Sequence, residues 1–304
     1  MRLDHLQQPG FNTTMMGVLK GAADHYRIAL SEAMLFGGSG HAFLMNIHSE
    51  LCPSGPYCWN VEPFYPLVQN LGIQMTTLGF FWSGSGPAER SAVEALVKYH
   101  LDEGEPCSLL NLENQLITGY DDTGFFTAQP WPGSDFPPSR LTFENWAEFG
   151  TEIHASFMTF RKAEPAPVLR TVSDSLRYAI DLWRNPTAHT CEPYGAGPNA
   201  YSKWIDAVEN GHGCGHGSWW NATVWSECRR MAAGYFEEIA DRLPRMAVPA
   251  QVLAADYREI ASALNSASDK QMPAAEKVDL LEQACVKESG SITKIEEMVT
   301  NLGE

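Results

Sequence analysis

Between residues 13 and 27, Met15, Met16, Leu19, Ala22, Ala23 and Tyr26 recur three or four apart, which predicts a helix, and Asn12 or Thr13 stands where its cap belongs. A second short helix, "SEAMLF", runs into the glycine-rich loop "GGSG" and then into an apolar run at 41–47 that reads as a strand. Five more stretches carry strand patterns: "IQMTTL" (73–78), "CSLLNL" (107–112), "NQLITGYD" (114–121), "FFTAQ" (125–129) and "HASFMTF" (154–160). Among them "PAERSAVEALVKYHL" is an amphipathic helix opened by Pro87, and the Asp121-Asp122-Thr123-Gly124 tip between two strands is ordinary hairpin chemistry. Helices followed by antiparallel strands make an α+β pattern.

The pattern changes at "RKAEPAPV" (161–168), where prolines and charges interrupt it. Beyond this point apolar residues recur at helical spacing over about 168–184, 196–209, 218–243, 248–266, 273–287 and 290–302, and no strand is predicted. The expected organisation is therefore an α+β domain over residues 1–163 and an all-helical domain over 164–304.

Composition narrows the functional classes. A chain of 304 residues with 44% hydrophobic and 19% charged residues is globular in character. Its longest apolar runs fall short of the roughly 18 to 20 residues a membrane span requires. A net charge of -16 argues against nucleic acid as a partner, since counterion release needs clustered Lys and Arg. The start "MRLDHLQQPGFNTT" lacks the features of a secretory signal, so the expected location is the cytoplasm. Seven cysteines, an odd number spread along the chain, read as reduced thiols. A homodimer is compatible with the amphipathic helices, although no heptad seam marks an interface.

Three stretches carry candidate chemistry. "GGSGHAFLM" (37–45) is not a phosphate cradle, because a helix precedes it and no Gly-Lys-Ser/Thr follows. It leaves His41 beside Gly38 and Ser39, as a proton carrier or as a core histidine with its hydrogen bonds satisfied. "NGHGCGHGSWWN" (210–221) alternates His212, Cys214 and His216, a donor set for zinc without the usual spacing; the alternative is glycine-mediated close packing. Trp219 and Trp220 read either as a pocket wall or as aromatic core. Cys52 and Cys58 in "ELCPSGPYCWN" are too widely spaced for a redox pair, and Cys58 as a nucleophile lacks an electropositive setting.

The stretch "TTMMGVLKGAADHYRIALSEAMLFGGSGHAF" resembles the N-terminal family of butirosin-biosynthesis H-type acyltransferases, and "EPCSLL" through "LITGYDD" resembles the hairpin of papain-like cysteine peptidases that process bacteriocin leaders. The likeness covers residues 10–130, and "GPNAYSKWIDAVE" and "WWNATVWSECRRMA" resemble the C-terminal part of the same group. It implies a papain-like fold in which a cysteine at the first helix's N-terminus pairs with a histidine on a central strand. This chain departs at both places: Phe11, Asn12, Thr13 and Thr14 stand at the helix start, and Glu113 stands six residues before Gly119.

Three readings follow. Thr13 or Thr14 serves as a hydroxyl nucleophile; or Glu113 and His41 move protons while Asn12 and Thr13 polarise a carbonyl; or the cleft binds a ligand without turnover. The leading expectation is acyl transfer or amide hydrolysis on a small molecule in specialised metabolism, with Gly38, Ser39, Trp219, Trp220 and Asn221 holding substrate and no cofactor required. The alternatives are an inactive ligand-binding or interaction protein and, third, a zinc-dependent hydrolase.

Overall fold

The computed structural model describes residues 1–82, 85–131, 133–143 and 154–302. In chain order it contains α1 (Thr14–His25), α2 (Glu32–Gly38), β1 (Asn46–His48), α3 (Phe64–Asn70), β2 (Ile73–Trp82), α4 (Pro87–Asp102), β3 (Cys107–Asn111), β4 (Glu113–Tyr120), β5 (Gly124–Thr127), β6 (Arg140–Thr142) and β7 (His154–Lys162). There follow α5 (Val168–Arg184), β8 (Tyr194–Ala196), α6 (Gly197–Ala207), α7 (His216–Arg242), α8 (Ala247–Ser266) and α9 (Ala274–Leu302). The protein is α+β, 57% helical and 15% strand. Among the described residues no helix is long and apolar enough to cross a membrane.

Two compact units divide the chain, one of residues 1–30 and 72–165, the other of 31–71 and 166–304. The C-terminal boundary falls close to the expected 163/164, but 31–71 belongs with the helical unit rather than with the sheet. Long-range contacts explain the difference: α2 packs on α7, and β1 pairs antiparallel with β8. Both elements find their partners more than 140 residues later, which local periodicity cannot reveal.

The sheet unit is a six-stranded antiparallel sheet in the order β2-β7-β3-β4-β5-β6. Alternation along β4 sets its two faces. Ile117 joins Leu109, Phe125, Phe157 and the α4 residues Val93, Val97 and Leu101 in one core, while α1 packs on the strand with Met16, Val18 and Leu19 buried.

In the helical unit α7 is the central element, packed against α8 and α2. Its buried Tyr235 and Phe236, with Phe43 and Tyr257, form an aromatic core. Within it Arg229 and Glu288 are an ion pair of 2.9 Å, their side chains 1% and 2% exposed.

The strand expected at 41–47 is a 3₁₀ turn over His41–Phe43 followed by the short β1. Arg229 Nη1 donates to the carbonyls of Ala42 (3.0 Å) and Leu44 (2.7 Å), so these oxygens are satisfied by a side chain instead of a ladder. The two helices expected at 273–287 and 290–302 are the single α9; a side chain at Gly290 would meet nothing within 4 Å, and one glycine's cost of about 1 kcal/mol is smaller than the burial of Leu281, Ala284, Ile292 and Ile295 on either side. β8, three residues long, has too little pattern to be read from sequence.

Candidate functional site

The first cluster lies where α1 begins. Thr13 occupies the helix cap position but makes no side-chain cap hydrogen bond, and the hydroxyl that reaches the sheet is that of Thr14, one residue further. Thr14 Oγ1 donates to Glu113 Oε2 at 2.8 Å and accepts from the backbone N–H of Asn114 at 3.1 Å. Gln8 completes the set: its Nε2 donates to the Asn114 carbonyl (2.8 Å), and its Oε1 accepts from the Leu116 N–H (2.8 Å), as a neighbouring strand's backbone would. All four side chains are buried: Gln8 is 9% exposed, Thr14 1%, Glu113 6% and Asn114 4%.

Chemically, this is a hydroxyl at the positive end of a 12-residue helix, hydrogen-bonded to a carboxylate. A carboxylate so placed can take a proton from the hydroxyl, and it can equally serve as a buried acceptor that fixes the helix on the strand. Asn12 is half-buried beside this cluster in the chain.

His41 belongs to the other unit, so neither unit by itself assembles it with Glu113, Asn12 and Thr13. Its ring is 1% exposed, stacked on Trp225 (6.5 Å, 21°) and edge-on to Phe36, Trp59 and Phe64 at 6.4, 5.6 and 5.9 Å. Its Nδ1 lies 3.7 Å from the Cys228 sulfur, and among the described residues its Nε2 has no partner. Burial, with a smaller contribution from the Arg229 charge, pushes its pKa down to about 3. The imidazole is neutral throughout the range in which an ordinary histidine titrates.

The glycine loop before His41 is explained by packing. A side chain at Gly37 would sit 1.9 Å from Tyr235 Cγ, and Gly40 adopts a left-handed φ of 77° against Tyr178. Gly38 and Ser39 are fully enclosed, and Ser39 Oγ donates to the Phe36 carbonyl at 3.2 Å. Of the residues expected to hold substrate, Asn221 is committed to the fold: its Nδ2 donates to the carbonyls of Cys52 and Gly217, and its Oδ1 accepts from Trp225 Nε1. Trp220 is 7% exposed, its ring 5.7 Å from that of Trp219. Trp219 is half-buried, with Lys270 Nζ 5.2 Å from its ring.

His212, Cys214 and His216 are exposed at the join of a π-helical turn and α7, and among the described residues no group of three or more His, Cys, Asp or Glu could hold a metal ion. The zinc alternative is thereby set aside: along this turn the three donors form no such group. Sequence reasoning missed Gln8, Asn114 and the Arg229–Glu288 pair. In the sequence each stands beside other polar residues, Gln7-Gln8, Glu113-Asn114-Gln115, Arg229-Arg230 and Lys287-Glu288-Ser289, so no local signal picks it out. Comparison with known proteins adds no family to this description: no family model and no curated protein matches the chain.

Proposed function

We propose that the sheet unit is a papain-like scaffold whose junction of α1 and β4 no longer turns over substrate, and that the protein acts by binding a small molecule. The scaffold reading is supported by the six-stranded antiparallel sheet with a helix start docked on the first residue of an internal strand. The observation that carries the loss of turnover is the closure of the Thr14–Glu113–Asn114–Gln8 set. Thr14 spends its one proton on Glu113, accepts from Asn114, and is 1% exposed, so no reacting carbonyl reaches its oxygen.

One observation favours a second reading, acyl transfer or amide hydrolysis: the 2.8 Å hydroxyl–carboxylate bond at a helix N-terminus. In that reaction Thr14 Oγ1 attacks the carbonyl as its proton passes to Glu113, the donor's C–N or C–O bond breaks as Glu113 returns that proton to the leaving amine or alcohol, and water or an acceptor amine then takes the acyl group from the threonine oxygen.

Treatment of the full chain with a fluorophosphonate, followed by intact-mass analysis and peptide mapping, separates the two. Binding without turnover predicts no adduct on Thr14 in the native protein. A stoichiometric adduct on Thr14 that disappears in Glu113→Gln overturns it in favour of acyl transfer.

A further inference from the structure

The helical unit contains a pocket of about 470 Å³ walled by the turn after α5, by β8 and by the first two turns of α6, a volume within the range of small-molecule sites. Lys203 and Glu192 face each other on its wall, Nζ to Oε2 2.9 Å, with the lysine side chain 22% exposed and the glutamate 83% exposed. Lys203 lies close along the wall because Gly195 has no side chain; a Cβ there would come within 2.9 Å of Lys203 Cδ.

This ion pair is not closed on itself. The ammonium has three donors and Glu192 is its one hydrogen-bond partner among the described residues. Around it, the side chains of Asn199 and Thr187 bond no other described group, and Thr190 Oγ1 is buried without a partner. Asn199 and Ser202 stand on the exposed side of the 11-residue α6, on the same wall.

We propose that this pocket binds a zwitterionic amino acid. Its carboxylate is received by Lys203 and the side-chain amide of Asn199, and its ammonium by Glu192. The charges decide the class. A phosphate would bring two negative charges against Glu192 in a chain of net charge -16, and a simple amine would compete for Glu192 and leave Lys203 unpaired beside it. A zwitterion exchanges one ion pair for two without changing the net charge. The site lies wholly within the helical unit and is independent of the chemistry assigned to Thr14 and Glu113.

The test screens the protein amino acids singly, at millimolar concentration, against the full chain by thermal shift. The best binder is then compared by calorimetry with its des-amino acid and its decarboxylated amine. The expected result is saturable binding of at least one amino acid, with both truncated analogues about tenfold weaker or worse, the loss of one charge-assisted contact. Lys203→Met and Glu192→Gln are each expected to weaken it by a similar factor while leaving the melting temperature of the free protein nearly unchanged, because the pair is solvent-accessible. The proposal is overturned if no amino acid binds, if the analogues bind as well as the parent, or if both variants bind like the native chain.

Discussion

The two units solve the burial of polar side chains differently. In the sheet unit Gln8, Thr14, Glu113 and Asn114 bond to one another and to backbone. In the helical unit His41 is enclosed by rings, its contact to Cys228 is a weak 3.7 Å one, and its cost is met by remaining neutral. In the same unit, Arg229 stays charged because Glu288 is beside it. Desolvation, the largest influence, acts to lower the guanidinium's pKa, and the Glu288 carboxylate together with Tyr201, Tyr257 and Cys228 more than offsets it, leaving the value above the ordinary one. Burial alone therefore does not foretell charge state; the partner within hydrogen-bond reach does.

The largest effect that would break this comparison is expected at the ion pair. Glu288→Ala leaves Arg229 charged and buried without its carboxylate and should destabilise the fold by about 3–5 kcal/mol in urea denaturation. The double variant Arg229→Met, Glu288→Leu should recover much of that loss; recovery of none would mean that the bonds from Arg229 to Ala42 and Leu44 hold the 3₁₀ turn by themselves.

Thr14→Val is expected to be next, at about 2–3 kcal/mol, since it removes the donor to Glu113 and the acceptor for the Asn114 N–H while keeping the shape. Thr14→Ser should restore most of this. Equal stability of the valine and native proteins would show that the set is not the strut described above.

The histidine gives a pH signature. Its folded pKa, about 3, lies below its ordinary value of 6.5, so the unfolded chain binds the extra proton between those limits. Stability contributed by the neutral ring is complete above pH 6.5 and falls as pH drops toward 3, by about 1.4 kcal/mol per unit. His41→Gln should flatten that part of the stability profile, measured by denaturation at successive pH values; an unchanged slope would assign the acid sensitivity to carboxylates.

The smallest effect belongs to an exposed pair. Arg184 bonds Glu296 through two nitrogens at 2.8 and 3.0 Å, yet Arg184→Gln should cost less than about 1 kcal/mol because water screens it. A loss as large as that at Glu288 would show that exposure is a poor guide in this unit.

Much of the fold was legible. The helices α1, α4, α5, α7 and α8 and the strands β3, β4, β5 and β7 lie within a few residues of where periodicity puts them, because each has one face in a core and repeats at 3.6 or 2. The allegiance of residues 31–71 was not legible, since it depends on pairing β1 with β8 and α2 with α7 across most of the chain. The glycine loop announced a close approach without saying to what; Tyr235 and Tyr178 are the answer. At the helix start the residue types were visible, but which hydroxyl meets Glu113 was not, because one step along a helix turns a side chain by about 100°.

What the sequence determined by itself is the alternation of apolar positions, hence the α+β class, the helical C-terminal half and the absence of a cysteine at the start of α1. Only the tertiary structure decided which polar groups are joined: Thr14 to Glu113, Arg229 to Glu288, and His41 to aromatic rings instead of a proton acceptor. Periodicity is a local property that each segment carries whatever its surroundings, whereas a buried hydrogen bond or ion pair depends on groups brought within about 3 Å from distant parts of the chain, and no local pattern encodes that distance.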